Sequence, residues 1–565
     1  MTKITRKKAI VIGAGAGGIA TAARLAQSGF SVTVVEKNPF TGGRCSIIQH
    51  AGYRFDQGPS LLLLPKLFHE TFHDLDTSLE KEGVELLRCP SNYSVWFADG
   101  APFELTPDLA RMKTQIERYE GVDGFKRYLS WLREAHDHYE LSVSEVLHRN
   151  FTSFWDLLSP GFVWTGLKIH PLHSIWGRAS KYFWTERLRR VFTFATMYMG
   201  MSPFDAPATY SLLQYSELAE GIWYPKGGFH SVLEALVRVG RREGVEFRLG
   251  TAVKRILTSG DGRTAKGVEL ESGETLDADV VVVNADLVYA YSNLFPQTPS
   301  TQRYAKSLQK RDSSCSSISF YWALDRKVPE LQTHNIFLAD EYRESFDAIF
   351  DRKELPKEPS FYVNVPSRVD PSAAPEGCDA IIVLVPTGHL LQSTNPKTGL
   401  PRNQDWPALI SQARTAVLST ISARTGCAPL QASIIHESVN DPLTWEARFN
   451  LDKGSILGLG HGFFNVLSFR PSTRARGLKN AYFVGASTHP GTGVPIVLAG
   501  AKITAEQILG DFGMDVPWRG RGDEGVGRKR GELGTLDKIE RPSSVVSVVV
   551  VCSLLVLVLA LMLRY

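Results

Sequence analysis

The feature that most constrains the fold is a glycine-rich turn between two short apolar runs near the N-terminus. Residues 9–12 have the length and composition of a buried parallel strand, and residues 19–28 form an Ala-rich stretch of helical pattern. Residues 31–35 form a second apolar run, and Glu36 follows at its C-terminal end. Between the first strand and the helix lie three glycines at G-x-G-x-x-G spacing: Gly13, Gly15 and Gly18. This order predicts a dinucleotide-binding βαβ unit.

Each part of this segment has a physical role in binding a dinucleotide. Gly13 permits the tight turn, Gly15 lets the backbone approach a pyrophosphate, and Gly18 lets helix and strand pack closely. The helix N-terminus offers free N–H groups and a positive dipole end to the phosphates. Glu36 is suited to accept hydrogen bonds from the ribose hydroxyls, and its charge repels a 2′-phosphate. The segment therefore favours NAD or FAD over NADP.

Length and composition restrict the class of protein. The 565 residues exceed one simple core, so two or more intertwined domains are expected. The net charge is only +4, and Lys and Arg are interleaved with acidic residues, which argues against nucleic-acid binding. The six cysteines have neither CxxC nor zinc spacing. The sequence thus predicts no metal and a reduced compartment rather than a disulfide framework.

The C-terminus differs from the rest of the chain. Residues 542–563 contain no charged side chain and are almost wholly apolar. About 20 helical residues at ~1.5 Å each span the ~30 Å hydrocarbon core of a bilayer. We therefore predict a single transmembrane anchor, with a buried Val-rich strand as the alternative. Basic residues precede it and place the main body in the cytosol, with the endoplasmic reticulum as the expected membrane: Arg528, Lys529, Arg530, Lys538 and Arg541.

A second glycine pair follows Glu36 in the sequence Gly42-Gly43-Arg44. Arg44 is a candidate for contact with the pyrophosphate. In flavoproteins of the amine-oxidase and carotenoid-desaturase type, an E-x-x-x-x-x-G-G-R segment continues the FAD site. Residues 55–60 resemble the next segment of those proteins, where the chain passes close to the flavin. This resemblance favours FAD over NAD.

Residues 151–198 are densely aromatic, and two interpretations of them stay open. The first is a helical subdomain with an aromatic core. The second is a lipid-facing mouth or an apolar tunnel, since aromatic side chains sit well at membrane interfaces and nearby basic residues suit anionic headgroups. The two interpretations are compatible with each other.

A third glycine-marked turn lies near the end of the chain. Residues 480–485 predict a strand that enters a glycine turn, and residues 494–509 predict a helix. Pro495 suits the first helical turn, where its missing N–H costs nothing. A helix that begins after small residues is an anion site, and we expect this one to face the flavin ring.

The order of these parts resembles the bacterial- and fungal-type phytoene desaturases, over nearly all of residues 8–510. The most specific match is residues 480–500, which contain T-H-P-G-x-G. The resemblance implies a Rossmann-type FAD-binding domain of the amine-oxidase and carotenoid-desaturase kind, with FAD bound noncovalently. NAD stays open as an electron acceptor. The cofactor-binding residues that the resemblance implies are Gly13, Gly15, Gly18, Glu36, Gly43, Arg44, Val253, Gly485, Gly493, Val494 and Pro495.

The resemblance also implies an interleaved α/β architecture. FAD-binding segments would alternate with an α+β substrate domain, followed by a linker and the transmembrane helix. The FAD-binding parts are residues 1–105, 222–290 and 431–510. The substrate parts are residues 106–221, which are helical, aromatic and in contact with the membrane, and residues 291–430. The linker is residues 511–541.

The expected substrate, phytoene, is a C40 hydrocarbon without a polar group. Its desaturation removes a hydride to the flavin and a proton from the adjacent carbon, so the protein has to position the chain and exclude water. Successive steps would give phytofluene, zeta-carotene, neurosporene, lycopene and 3,4-didehydrolycopene. His489 and Lys226 are candidate catalytic residues, although a structural role against the flavin is favoured for both. Membrane lipid and phytoene synthase are the expected partners.

Two rival functions remain. A tail-anchored amine oxidase would carry a polar amine site and different residues after the final strand. A prenyl-escort protein on the same fold would need neither Glu36 nor an intact C-terminal flavin loop, and both are present.

Overall fold

The computed structural model describes residues 6–158, 162, 166, 168–391 and 404–519. The predicted transmembrane anchor and most of the predicted linker lie outside these residues. The described part is an α/β fold with two large sheets, one parallel and one mixed.

The parallel sheet has five strands drawn from three separate stretches of the chain. Its central strands are almost entirely Val and Ile and are buried, which is typical of a parallel sheet covered on both faces. In spatial order the strands are Ala481–Phe483, Val280–Val283, Lys8–Ile12, Ser31–Val35 and Glu246–Arg248. The strand–helix–strand unit predicted from the first glycine turn is thus present.

Three helices pack together beside this sheet. Ala16–Gln27 contacts both His230–Arg242 and Val494–Asp511. The close approach depends on small side chains, because Ala20, Ala23 and five further alanine or glycine positions of Ala16–Gln27 leave room for the neighbouring helices. The helix after the last glycine turn begins at Val494, as predicted, and ends two residues later than predicted.

The mixed sheet has seven strands. All its pairings are antiparallel except that of His334–Phe337 with Tyr93–Trp96. The helix Trp406–Thr425 packs against one face of this sheet and shares a hydrophobic core with it. In spatial order the strands are Ile434–Asn440, Ser316–Leu324, Asp379–Thr387, Phe361–Asn364, His334–Phe337, Tyr93–Trp96 and Phe103–Leu105.

The remaining strands form small antiparallel sheets. One is three-stranded: Val253–Thr258, Ala265–Leu270 and Thr275–Asp277. Two are two-stranded: Ile47–His50 with Tyr53–Asp56, and Leu86–Arg88 with Trp223–Pro225.

The other helices alternate with these strands along the sequence. The α-helices are Pro65–Asp74, Leu109–Glu120, Val122–Ser142, Ile175–Ala179, Glu186–Val191, Leu212–Tyr215, Leu287–Tyr289, Pro299–Gln309, Tyr342–Asp347 and Pro442–Phe449. Short π-helical turns are Val143–Leu147, Ser216–Glu220, Ala290–Leu294 and Ala348–Arg352. The 3-10 turns are Phe154–Leu158, Phe194–Met199, Ala208–Ser211, Pro366–Arg368, Pro371–Ala373, Gln431–Ser433, Asp452–Gly454, Phe463–Asn465 and Leu467–Phe469.

The aromatic region divides between core and surface. Phe183 and Phe192 stack with ring centroids 4.2 Å apart and are fully buried. In contrast, Trp155 and Trp184 are 74% and 65% exposed. The region therefore forms an aromatic core and also presents large apolar side chains to its surroundings. Among the described helices, none combines the length and apolar character that crossing a bilayer requires.

Candidate active site

A cavity of about 590 Å³ opens along the carboxyl ends of the parallel strands. In α/β sheets this edge is where dinucleotides and substrates bind. Most of the residues expected to bind the cofactor line it: Gly13, Gly15, Glu36, Gly43, Arg44, Val253, Gly485, Gly493, Val494 and Pro495. Segments far apart in sequence thus meet at one cavity.

The first glycine turn is shaped by a close contact behind the cavity wall. Gly13 has a φ of +100°, which favours glycine. Gly18 does not line the cavity, but a Cβ at this position would stand 2.1 Å from the carbonyl oxygen of Gly13. Gly18 therefore keeps the helix start against the end of the first strand, as the sequence predicted.

Asn284 is a site residue that sequence reasoning missed. It follows the strand Val280–Val283, lines the cavity and packs against the glycine turn. A Cβ on Gly15 would meet its Nδ2 at 2.7 Å, and a Cβ on Gly17 would meet its Oδ1 at the same distance. The available signal was a polar residue placed directly after a buried parallel strand, which is the cavity edge of such a sheet.

Glu36 is buried, and its carboxylate holds the glycine turn as well as facing the cavity. Its Oε2 accepts a hydrogen bond from the Ala14 N–H at 2.8 Å. Its Oε1 accepts from the Asn38 N–H at 2.8 Å and from Asn38 Nδ2 at 2.9 Å. A carboxylate has about four acceptor positions, so one is left for a ligand hydroxyl. The expected contact with the ribose remains a prediction. In addition, the Glu36 carboxylate holds the backbone at Ala14 and Asn38 in place.

Arg44 lies between the cavity and a neighbouring loop. Its Nη1 donates to the carbonyl oxygen of Ile456. Burial lowers the pKa of Arg44, and the nearby Asp286 carboxyl opposes that shift. Burial raises the pKa of Asp286 to about 6. Hydrogen bonds that its carboxylate accepts from the N–H groups of Val288 and Tyr289 act in the opposite direction. The cation is therefore held in place at the wall, where it is available to a pyrophosphate.

The last glycine turn runs along the cavity into an 18-residue helix. Gly485 and Gly493 have φ values of +130° and +96°. The helix begins at Val494 with Pro495 in its first turn, and its N-terminal N–H groups lie at the cavity. Such a helix end suits an anion, and its expected contact with the flavin ring stays a prediction.

His489 supports this turn from outside the cavity wall. Its Nε2 lies 2.8 Å from the carbonyl oxygen of Arg149. Because a carbonyl oxygen only accepts, Nε2 carries the proton and donates the hydrogen bond. Burial lowers the pKa of His489 to about 4, which leaves the ring neutral at physiological pH. His489 is not among the lining residues, and its contacts favour the structural role over the catalytic one.

Lys226 lies at the surface rather than at the cavity. Its Nζ donates to Glu85 Oε2 at 2.9 Å, and its side chain is 57% exposed. Hydrogen bonding to Glu85 raises the pKa of Lys226, so the ammonium group holds its proton. Because a paired surface cation has no contact with the cavity, we do not carry Lys226 further as a candidate catalytic residue.

The same cavity continues from the nucleotide half into an apolar half. Its wall there comes mainly from Leu63, Leu64, Val143, Val146, Leu147, Ile169, Met197, Met199, Leu212 and Leu213. Hydroxyl groups interrupt it, among them those of Ser60, Tyr198, Tyr210 and Tyr362. Such a wall suits a hydrocarbon and gives it few polar contacts.

The nucleotide half fits an FAD. A Cβ at Gly15, Gly17 or Gly18 would collide with protein atoms, so these glycines keep the turn compact, and Gly13, Gly15 and Gly17 line the cavity where a pyrophosphate would lie. The partly free carboxylate of Glu36, the Arg44 cation and two helix N-termini supply groups for ribose, phosphates and an electron-rich ring.

Comparison with known proteins agrees with this geometry. The family described as "Flavin containing amine oxidoreductase" matches residues 16–397, which supports FAD as the cofactor. A solved cyclohexylamine oxidase from Brevibacterium oxydans superposes with a TM-score of 0.56 and 18% identity, covering 90% of this chain and all of that one. At such identity the likeness shows a shared fold.

Two relatives are much closer in sequence. A phytoene desaturase from Neurospora crassa is 63% identical over 537 residues, covering 93% of this chain and 89% of the relative. Another from Cercospora nicotianae is 59% identical over 593 residues, covering 95% of this chain and 94% of the relative. The chain belongs to the flavin containing amine oxidoreductases and, within them, to the phytoene desaturases.

Proposed function

We propose that this chain is an FAD-dependent phytoene desaturase. The observation that carries the proposal is the single cavity that joins an FAD cradle to an apolar half. Relatives named phytoene desaturase align with most of the chain, which supports the same substrate. The rival functions fit less well, because an amine oxidase has to hold a polar amine and an escort protein has no use for the cradle.

In this function the chain's own residues position the substrate and keep water out. Bound FAD supplies the acceptor for the hydride. The leucine, valine and methionine side chains of the apolar half hold the hydrocarbon by burying its surface, at about 25 cal/mol per Å². Exclusion of water protects the electron-poor carbon that develops during hydride loss.

The proposed products are those of successive dehydrogenation: phytofluene, zeta-carotene, neurosporene and lycopene, with 3,4-didehydrolycopene as a further product. The cavity continues beyond the flavin segment, which lets a long substrate advance between steps. We propose FAD as the bound cofactor, in line with the matched flavin family, and keep NAD only as a candidate electron acceptor.

Expression in a bacterium that accumulates phytoene tests the function directly. We expect coloured carotenes, whose conjugated double bonds give the number of steps when the pigments are separated by chromatography. Leu213→Trp, which adds bulk to the apolar wall, should retain flavin and lose at least about tenfold of the product, in line with the 1–3 kcal/mol cost of overpacking.

The matched control is Leu129→Trp, a position 43% exposed on the helix Val122–Ser142 and not part of the cavity. It should leave product yield unchanged. Untouched phytoene with a full complement of FAD in the unmodified protein would contradict the proposed substrate.

We propose in addition that the protein is held at a membrane with its catalytic part in the cytosol. Residues 542–563 would be the anchor, and the endoplasmic reticulum the membrane. Trp155 and Trp184 are exposed on the same chain region and suit the lipid interface. A position at the membrane would bring the cavity close to a lipid-soluble substrate. Association with phytoene synthase would deliver phytoene directly to this protein.

Removal of residues 542–565 tests the anchor. We expect the truncated protein to move from the membrane pellet to the supernatant after centrifugation, because most of the proposed apolar attachment is lost. A truncated protein that stays in the pellet would contradict a single anchor. Trp155→Ser combined with Trp184→Ser in the truncated protein would then identify the aromatic region as the second attachment.

A further inference from the structure

A buried group of hydroxyls lies on the cavity wall beside the loop that is expected to meet the flavin. Ser60 Oγ lies 2.8 Å from the Tyr362 hydroxyl, which lies 2.7 Å from His334 Nδ1. Tyr198 also lines this wall, and its buried hydroxyl lies near that of Tyr93, with which it interacts.

Behind Tyr198 lies a carboxylate that no cation neutralises among the described residues. The rings of Tyr198 and Tyr93 have centroids 6.2 Å apart, and the Tyr93 hydroxyl donates to Glu217 Oε1 at 3.0 Å. Glu217 is 2% exposed. Its backbone is fixed by Asn92, whose Nδ2 donates to the Glu217 carbonyl oxygen at 2.7 Å. Tyr198, Tyr93 and Glu217 thus lead from the cavity into the protein.

A buried carboxyl without a cation is costly, and a glutamine would offer Tyr93 the same acceptor without the charge. Groups of this kind cluster at sites of proton transfer. Burial raises the pKa of Glu217 to about 8, although the Tyr93 hydrogen bond acts in the opposite direction. Glu217 therefore changes its charge within the range in which an enzyme works.

We propose that Glu217 is the proton acceptor of the desaturation and acts through Tyr93 and Tyr198. The proposal rests on the proposed function. Tyr198 is the catalytic residue that meets the substrate, and Glu217 stores the proton.

One substrate carbon would give up a hydride, with its electron pair, to FAD, which would supply the two-electron acceptor when bound. The C–H bond on the neighbouring carbon then breaks, and its electron pair becomes the new C=C bond. The proton goes to the Tyr198 oxygen, the Tyr198 proton goes to the Tyr93 oxygen, and the Tyr93 proton goes to Glu217 Oε1. The substrate has lost two protons and two electrons, and both tyrosines end as they began.

The pH dependence follows from the charge that Glu217 needs. It accepts a proton only when ionised, so the rate should rise with pH until the carboxyl is fully ionised, somewhat above pH 8. The neighbouring groups on the packed elements stay neutral in this range. Burial lowers the pKa of His334 to about 3, raises the pKa of Cys89 to about 12, and raises those of Tyr93, Tyr198 and Tyr362 further.

The test uses the full-length protein with bound FAD, reconstituted in vesicles that contain phytoene, assayed from pH 6 to pH 9. The unmodified protein should gain roughly 25-fold in rate between pH 6.5 and pH 8.5, in step with the ionised fraction of Glu217. Glu217→Gln should be about 10²–10⁴-fold slower and lose the rise with pH, because it has no base. Tyr198→Phe should be slowed to a similar degree while it retains flavin, since it removes only the hydroxyl and leaves the ring packed against Tyr93.

The matched control is Glu220→Gln. Glu220 lies on the same turn, Ser216–Glu220, and accepts a hydrogen bond from the Tyr139 hydroxyl at 2.8 Å, but it does not line the cavity. Its rate and pH profile should match those of the unmodified protein.

Three outcomes would overturn the relay. They are a Glu217→Gln rate within twofold of the unmodified protein, a Glu217→Gln profile that keeps its rise with pH, or a Tyr198→Phe protein of normal rate. If Glu217→Gln lost its flavin, Tyr198→Phe alone would decide. A failure of the proposed function is distinct, because unmodified protein with bound FAD would then leave phytoene untouched at every pH.

Discussion

Gly18→Ala is expected to yield a folded protein with less than about a tenth of its normal FAD, a loss equivalent to more than ~1.4 kcal/mol of binding. The added Cβ would stand 2.1 Å from the Gly13 carbonyl oxygen. That oxygen cannot move aside easily, because the Gly13 N–H donates to Val35 O at 2.8 Å and fixes the turn to the sheet. The helix start has to move instead, and the phosphate site moves with it. Flavin absorbance per mole of purified protein measures the effect.

Gly510→Ala is the control for this substitution. It makes the same change inside the helix Val494–Asp511, where a Cβ would meet nothing within 4 Å. We expect full FAD content and a gain of about 0.4–1 kcal/mol in stability, since alanine restricts the unfolded chain. A normal flavin content in Gly18→Ala would mean that the glycine turn is not the phosphate cradle.

The parts of the site that could be predicted from sequence are those built from neighbouring residues. The turn from Gly13 to Gly18 is local, and its spacing alone places strand, helix and acidic residue. The same holds for the last glycine turn and the helix that begins at Val494. Physical reasoning works here because the geometry depends on backbone conformation within about 30 residues.

Other site residues could not be predicted, because their roles depend on contacts between distant segments. Asn284 fills the space beside Gly15 although 269 positions separate them. The Tyr93–Glu217 pair joins a strand of the mixed sheet to a helical turn 124 positions away. For Lys226 the local sequence misled, because its position next to a glycine turn suggested a place at the flavin. In the structure its side chain pairs with Glu85 instead. The boundaries between the FAD-binding and substrate parts stay predictions.

Arg470 shows what such long-range contacts do for the site. It is 3% exposed and has no carboxylate partner among the described residues. Its five N–H groups are taken by backbone carbonyl oxygens on two loops: those of Leu459, Gly460, Asn465, Ala486 and Thr488. Burial lowers the pKa of Arg470 to about 10, so it keeps its charge at physiological pH. The two loops that border the cavity are therefore joined through one guanidinium group.

Arg470→Met should consequently destabilise the protein by about 3–5 kcal/mol, because it leaves several buried carbonyl oxygens without a donor. Ala486 and Thr488 belong to the last glycine turn, so we expect flavin to be released at a lower temperature than the unmodified protein releases it. Thermal unfolding followed by flavin fluorescence measures both effects. Arg470→Lys should lose less, since lysine supplies three donors in place of five.

Arg474→Met provides the comparison on the same loop. Arg474 is 53% exposed and pairs with Asp511, and an exposed ion pair contributes only about 0–1 kcal/mol. If Arg470→Met unfolded at the same temperature as Arg474→Met, the five carbonyl contacts would not be what holds the turn. If Arg470→Met unfolded early and Arg470→Lys fell between the two, the number of donors at this position would set the stability of the loop that faces the flavin. The buried charge would then be retained because no neutral side chain offers five donors from one point.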